Sequence, residues 1–183
     1  MNLVDKATQF IARKYDGKRR TALQIPYATH LFGVARILKS SGYSETIVAA
    51  GLLHDILEDD LASEQELLAL FGQEIVDLVI ATTELPKSYP WQIRKENVIV
   101  RIKEKTQDEI AILLAEKIYN VRSVIVEENQ FGESIWQNFN ASKENQEWYY
   151  RSIIEEVNLY HPDSLLLPQL QQAVDKLFVK VQK

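Results

Sequence analysis

No cysteine occurs anywhere in the 183-residue chain. That absence excludes a disulfide scaffold, a thiolate-bound metal and a catalytic thiol. Long apolar runs are missing too: strictly apolar stretches last only a few residues, far short of the roughly 20 that a membrane-spanning helix needs. The opening MNLVDKATQFIARKYDGKRR mixes charged and apolar residues and has no apolar block followed by a small-residue cleavage site, so no signal peptide is expected. A basic surplus is lacking as well. The net charge is −5, which argues against a partner that is a nucleic-acid polymer but leaves room for a local basic pocket around a small anion. The expectation is a cytoplasmic protein with no membrane partner.

What is present is ordinary globular material, 46% hydrophobic and 26% charged, in a length that fits one domain with a real core. Its periodicity is helical nearly throughout. Residues 2–15 put Leu3, Ala7, Phe10 and Ile11 on one stripe, and 27–40 does the same with Leu31, Val34, Ala35 and Leu38. Gly42 closes that helix, and Ser44 caps the next, expected to run through Ile47, Ala50, His54 and Glu58. Ser63 to Glu66 and Thr106 to Glu109 read as capping boxes opening two further helices, the second spanning 109–128. The two prolines in 84–90 mark a loop, followed by a helix from Trp91 to about Lys105. A break at Gly132, a short helix over 134–139, a helix from Ser142 to about Leu159 and a last amphipathic helix from Asp163 to Val181 complete the pattern. The expected fold is all-α, with about eight to ten helices in a single domain, 1–183, in which 160–183 forms a C-terminal packing helix. The aromatic tail and that last helix are candidates either to close over the core or to form a homo-oligomer surface.

Three features carry chemistry. His54-Asp55 and Glu58-Asp59 sit on an apolar helix, where uncompensated charge is costly and a bound cation is a common compensation for several carboxylates. On a continuous helix His54 and Glu58, like Asp55 and Asp59, are i and i+4 and look toward one cleft. The alternative is an acid-dressed helix end with a structural histidine. His30, at the start of an apolar helix, has the same two readings. Glu116 lies on a semi-buried face and wants a partner, either Lys117 or a cation. Two imidazoles and two carboxylates would suit Mn²⁺, Fe²⁺, Co²⁺ or Zn²⁺ better than Ca²⁺. Lys18, Arg19, Arg20, Lys117 and Arg122 are candidates to offset the charge of a polyphosphate, or else surface charges.

The ordered set Lys18-Arg19-Arg20, Ile25 to His30, Gly33 to Leu38, Leu52 to Asp59, Phe71-Gly72 with Val76 and Val79, and Glu116 to Arg122 resembles the HD superfamily of metal-dependent phosphohydrolases. Within it, the chain is similar to the hydrolase domain of Rel/SpoT proteins and the small alarmone hydrolases, clearly over about residues 5–125. The tail with Trp136 to Asn140 and Trp148 to Tyr150 is similar to a bacterial subgroup of stand-alone HD proteins. The resemblance implies the HD-domain fold, with His30, His54, Asp55 and Glu116 as metal ligands, the last standing where the family has aspartate. It implies Glu58 and Asp59 as the pair that positions and activates water. It also implies Arg20 or Arg19 against guanine, Asn120 on the nucleoside, Lys117 beside the substrate, and Mn²⁺ as the ion. The reaction implied is removal of the 3′-pyrophosphate of (p)ppGpp, a small-molecule nucleotide. Two other readings stay open: an HD hydrolase of another nucleotide or phosphoester, and a metal-poor, non-catalytic nucleotide-binding module.

Overall fold

The structure, a computed structural model, describes residues 2–20 and 23–179. Among them are nine α-helices: α1 (Leu3–Lys14), α2 (Ala28–Ser40), α3 (Glu45–Leu53), α4 (Glu64–Phe71), α5 (Gln73–Thr82), α6 (Trp91–Arg101), α7 (Gln107–Phe131), α8 (Lys143–Tyr160) and α9 (Leu167–Phe178), with 3₁₀ turns at Ile102–Glu104 and Gly132–Asn138. The described residues contain no strand, only a lone bridge between Arg19 and Pro26. The all-α expectation holds. No helix among them is long and apolar enough to cross a membrane.

Helix starts coincide with short polar side chains that accept from free backbone N–H groups, at Asn2, Ser44 and Ser142. Thr106 and Glu109 form the full reciprocal capping box. Ser63 forms only half of one. Its hydroxyl accepts from the Glu66 amide at 3.1 Å, while the Glu66 carboxylate turns to Lys14 of α1 at 3.0 Å.

α7 is the central helix. Its residues from Ile110 to Ala115, and then Ile118 and Val121, are buried all round, as expected of a helix enclosed by others. α2, α3 and α5 pack against it, as does α9, which also packs on α8 through a face that buries Leu167, Leu170, Val174 and Leu177. Two glycines permit close approaches beside the site. A Cβ on Gly33 would sit 1.8 Å from the Tyr119 ring of α7, and one on Gly51 would sit 2.4 Å from Leu38 Cδ1. A Cβ at Gly33 would drive into the Tyr119 ring, so α2 docks this closely on α7 because the side chain is absent, whereas at Gly51 the flexible end of Leu38 would have to move.

Three expected boundaries are corrected. The helix predicted to run through Glu58 stops at Leu53, and 54–60 forms consecutive turns ending at Asp60, whose φ of 54° is left-handed. Consecutive acids at a helix C-terminus oppose its dipole, and here Glu58 is drawn toward Arg94 and Asp59 toward Lys18 and Lys87. The last helix begins at Leu167 rather than Asp163, with Pro168 in its first turn, where a missing N–H costs nothing. Val181 lies outside the described residues. α7 is longer than the expected 109–128, running on until Gly132 ends it with a φ of 73°.

Candidate active site

Two helices deliver the centre. His30 comes from the first turn of α2, His54 is the residue that ends α3, and Asp55 follows it into the turn. Both imidazoles are 3% exposed. His54 Nδ1 lies 2.8 Å from the Gly51 carbonyl. A carbonyl can only accept, so Nδ1 carries the proton and Nε2 presents a lone pair. That Nε2 stands 3.2 Å from His30 Nε2 and 3.2 Å from Asp55 Oδ1, while His30 Nε2 is 3.4 Å from Asp55 Oδ2. The donor atoms of the three residues all lie within 4.8 Å of one another. A lone pair facing a carboxylate oxygen in a buried setting is repulsive unless a proton or a cation lies between them. The buried His30 Nδ1 has no partner of its own among the described residues. Two imidazoles and a carboxylate converging in this way fit a divalent transition ion.

Supporting contacts fix the set. Tyr27 donates its hydroxyl to Asp55 Oδ2 at 2.6 Å, stacks on Tyr15 with centroids 5.2 Å apart and meets His30 edge-on. The Lys18 ammonium lies over the Tyr27 ring. Burial lowers His30 below its ordinary value against the pull of Asp55, which keeps it a neutral nitrogen donor. Burial raises the Asp55 carboxyl, but His54, His30 and Tyr27 together outweigh it and hold Asp55 well below the usual carboxylate range.

Glu116, on α7, lines the same cavity but is not part of the three-residue cluster. Its Oε1 accepts from Lys117 at 2.7 Å and from Asn120 at 3.2 Å. Burial raises its carboxyl, and Lys117 and His54 reverse that to a net depression. Lys117 is buried and turned inward, over the Tyr149 ring. Glu58 and Asp59 diverge. Glu58 accepts from Arg94 at 2.9 Å. Asp59 has both oxygens engaged, with Lys18 at 2.7 Å and Lys87 at 2.9 Å, and also takes the Tyr15 hydroxyl. Burial, then the charges of Glu84, Asp55 and Glu116, lift Glu58 above its ordinary value, with Arg94 opposing.

A cavity of about 540 Å³ opens over this centre and is lined by His30, Asp55, Glu58, Asp59, Glu116 and Asn120, with cations from three parts of the chain. Arg19 is exposed and donates to the Gln24 carbonyl at 2.7 Å, whereas Arg20 lies over the Tyr119 ring; both line the cavity. Arg122 does not: it reaches Gln169 of α9. Sequence reasoning missed Lys87, which pairs with Asp59, and Arg94, Lys95 and Glu84, which form an ion-pair network on the far wall, Glu84 bridging Arg94 at 2.8 Å and Lys95 at 2.6 Å. The nearest signal was three basic residues flanking a proline-bounded loop, which local periodicity does not distinguish from surface charge.

The geometry agrees with what the chain is similar to. A guanosine-3′,5′-bis(diphosphate) 3′-pyrophosphohydrolase, MESH1 of Xenopus tropicalis, is 34% identical over 125 residues, 67% of this chain and 69% of that one. A GTP pyrophosphokinase of Myxococcus xanthus is 35% identical over 132 residues, 68% of this chain but only 17% of the longer protein. A solved metazoan ortholog of SpoT, described as hydrolysing ppGpp, superposes with a TM-score of 0.76 over 96% of both chains at 24% identity, a likeness of fold. The HD domain family model matches residues 7–144, the span that holds His30, His54, Asp55, Glu58, Asp59 and Glu116, and the chain therefore belongs to the HD domain family.

Proposed function

We propose that the protein is a metal-dependent phosphohydrolase that removes the 3′-pyrophosphate of (p)ppGpp, working as one HD-type hydrolase domain with Mn²⁺ as its ion. The observation that carries this reading is the convergence of His30, His54 and Asp55 donors within 4.8 Å beneath a cavity rich in cations. The pyrophosphohydrolase activity named for the Xenopus relative supports the choice of substrate.

When bound, a divalent ion in such a site supplies Lewis acidity to a phosphoryl oxygen and acidifies water. His30, His54 and Asp55 are its ligands, and Glu116 is the fourth, drawn from α7. Tyr27 orients Asp55 through its hydroxyl. Glu58 accepts the proton of the attacking water: one of its oxygens is tied to Arg94, and its raised pKa suits it to general-base work. Water adds to the phosphorus attached to the 3′ oxygen, the P–O3′ bond breaks, the 3′ oxygen takes up a proton, and pyrophosphate departs, leaving GDP from ppGpp or GTP from pppGpp. Asp59 holds Lys18 and Lys87 at the cavity mouth, where they offset substrate charge with Arg19 and Arg20, while Asn120 contacts the nucleoside. All of these residues come from one chain, so a monomer or a homo-oligomer would use the same cavity. The absence of cysteine is compatible with a cytoplasmic location.

The test is incubation of purified protein with ppGpp, with Mn²⁺ or with chelator, and chromatography of the products. Mn²⁺-dependent appearance of GDP and pyrophosphate is expected. Turnover of dNTPs or nucleoside monophosphates with ppGpp left intact would overturn the choice of substrate. No turnover and no bound metal would overturn the reading altogether.

A further inference from the structure

Asp55 and Asp59 sit in the turns of 54–60 rather than in a helix. A continuous helical ladder therefore does not fix them, and side chains from elsewhere must hold the two acids in place. The Asp59 amide still donates to the Asp55 carbonyl at 2.9 Å, which leaves the two carboxylates about one turn apart.

What meets them is a pair of stacked rings. α1 ends at Tyr15, Gly17 turns the chain with a φ of 76°, and on the return the Tyr27 amide donates to the Lys18 carbonyl at 2.8 Å. That path lays Tyr27 on Tyr15 with ring centroids 5.2 Å apart and planes only 8° from parallel. A carboxylate can only accept, so each phenol donates to one acid: Tyr27 to Asp55 Oδ2 at 2.6 Å and Tyr15 to Asp59 Oδ2 at 3.2 Å. The Lys18 ammonium lies over both rings and pairs with the same Asp59 oxygen at 2.7 Å.

The two acids depend on these rings unequally. Asp59 keeps Lys18 and Lys87 if the Tyr15 hydroxyl is removed. Among the described residues Asp55 receives a hydroxyl from Tyr27 alone, and the aim of that phenol is set by what its ring rests on. Tyr15, itself only 2% exposed, is the face-to-face support, and His30 meets the ring edge-on. We infer that Tyr15 is a positioning residue for the metal centre: its ring, not its hydroxyl, holds Tyr27 where the phenol orients Asp55. This rests on the reading of His30, His54 and Asp55 as ligands, but not on which phosphoester is cleaved.

The experiment measures the Mn²⁺ affinity of the full chain by competition with a chelating dye, together with thermal melting of each metal-free protein. The variants are Tyr15→Phe, Tyr15→Leu, Tyr27→Phe and the pair Tyr15→Leu with Tyr27→Phe; Tyr15→Met replaces Tyr15→Leu if the latter fails to melt cooperatively. Tyr15→Phe keeps the ring and should bind within about twofold of the unaltered protein, the scatter of independent changes. Tyr15→Leu should bind about tenfold more weakly, the lower end of the loss from disturbing a ligand's outer partner. In the Tyr27→Phe background the orienting hydroxyl is already gone, so adding Tyr15→Leu should change affinity by no more than about twofold.

An affinity that Tyr15→Leu leaves intact would overturn the inference even if the melting temperature falls, because a packing role alone moves only stability. Equal losses in Tyr15→Phe and Tyr15→Leu would assign the effect to the hydroxyl, and an undiminished loss in the Tyr27→Phe background would show that it bypasses Tyr27; either result overturns it. No Mn²⁺ bound by the unaltered protein would overturn the ion reading and this inference with it. The expected pattern of affinities without any hydrolysis of ppGpp would overturn the proposed reaction and leave the role of Tyr15 standing.

Discussion

The two walls of the cavity are built in opposite ways. The metal-centre wall draws His54, Asp55, Glu58 and Asp59 from six consecutive residues and adds His30 from the neighbouring helix, so local sequence nearly writes it out. The opposite wall joins Glu58 to Arg94 across 36 positions and Arg94 to Glu84 across ten, and takes Gln146 from a helix after the central one. The first wall is chemically dense because adjacency forces like charges together and a cation must resolve them. The second is neutralised internally, carboxylate against lysine and arginine. One wall gathers the donors suited to an ion, and the other sets the electrostatic environment of Glu58 beside it.

The largest break in this comparison is expected from His54→Ala. It removes a donor held in its tautomer by Gly51, and with it the several kcal/mol of charge stabilisation a metal supplies, about a thousandfold or more in turnover. Elemental analysis of the purified variant should show the ion gone. Retention of full metal and full rate would mean that the triad is structural only. Glu58→Gln should cost about 10²–10⁴-fold in kcat, the usual contribution of a positioned base, while metal content stays at the level of the unaltered protein. A variant that loses the ion together with the rate would recast Glu58 as a ligand. Tyr27→Phe is milder: deleting a hydroxyl that orients a ligand typically costs about 10–100-fold in metal affinity, measurable by competition with a chelator, and added Mn²⁺ should restore the rate.

How much of this was legible in the sequence follows from the same contrast. Helix periodicity located the elements because burial on one face repeats every turn, and Thr106 with Glu109 announced a start that the structure completes. The adjacency of His54 and Asp55 exposed the centre. The end of α3 was not legible, because a continuous apolar pattern runs past Leu53 while the forces that stop the helix, the pulls of Arg94 on Glu58 and of Lys18 and Lys87 on Asp59, come from elsewhere in the chain. Ser63 looked like a capping box for the same reason: nothing local says that Glu66 will prefer Lys14.

The smallest effect ties the walls together through Glu84, whose carboxylate is 9% exposed and grips Arg94 and Lys95. After burial, its charge is the largest influence raising the Glu58 carboxyl. A raised carboxyl keeps its proton to a higher pH, and a base must be free of its proton, so the rate should fall as pH drops through a value above that of an ordinary glutamate. Glu84→Gln removes the repelling charge and leaves Arg94 to Glu58 alone. Both changes favour the ionised form, so the acid limb of kcat/KM should move to lower pH while the alkaline limb stays in place. A limb that stays put, or moves up, would mean that the titrating group is not Glu58, and the opposite wall would then have no hand in setting the base that works beside the metal centre.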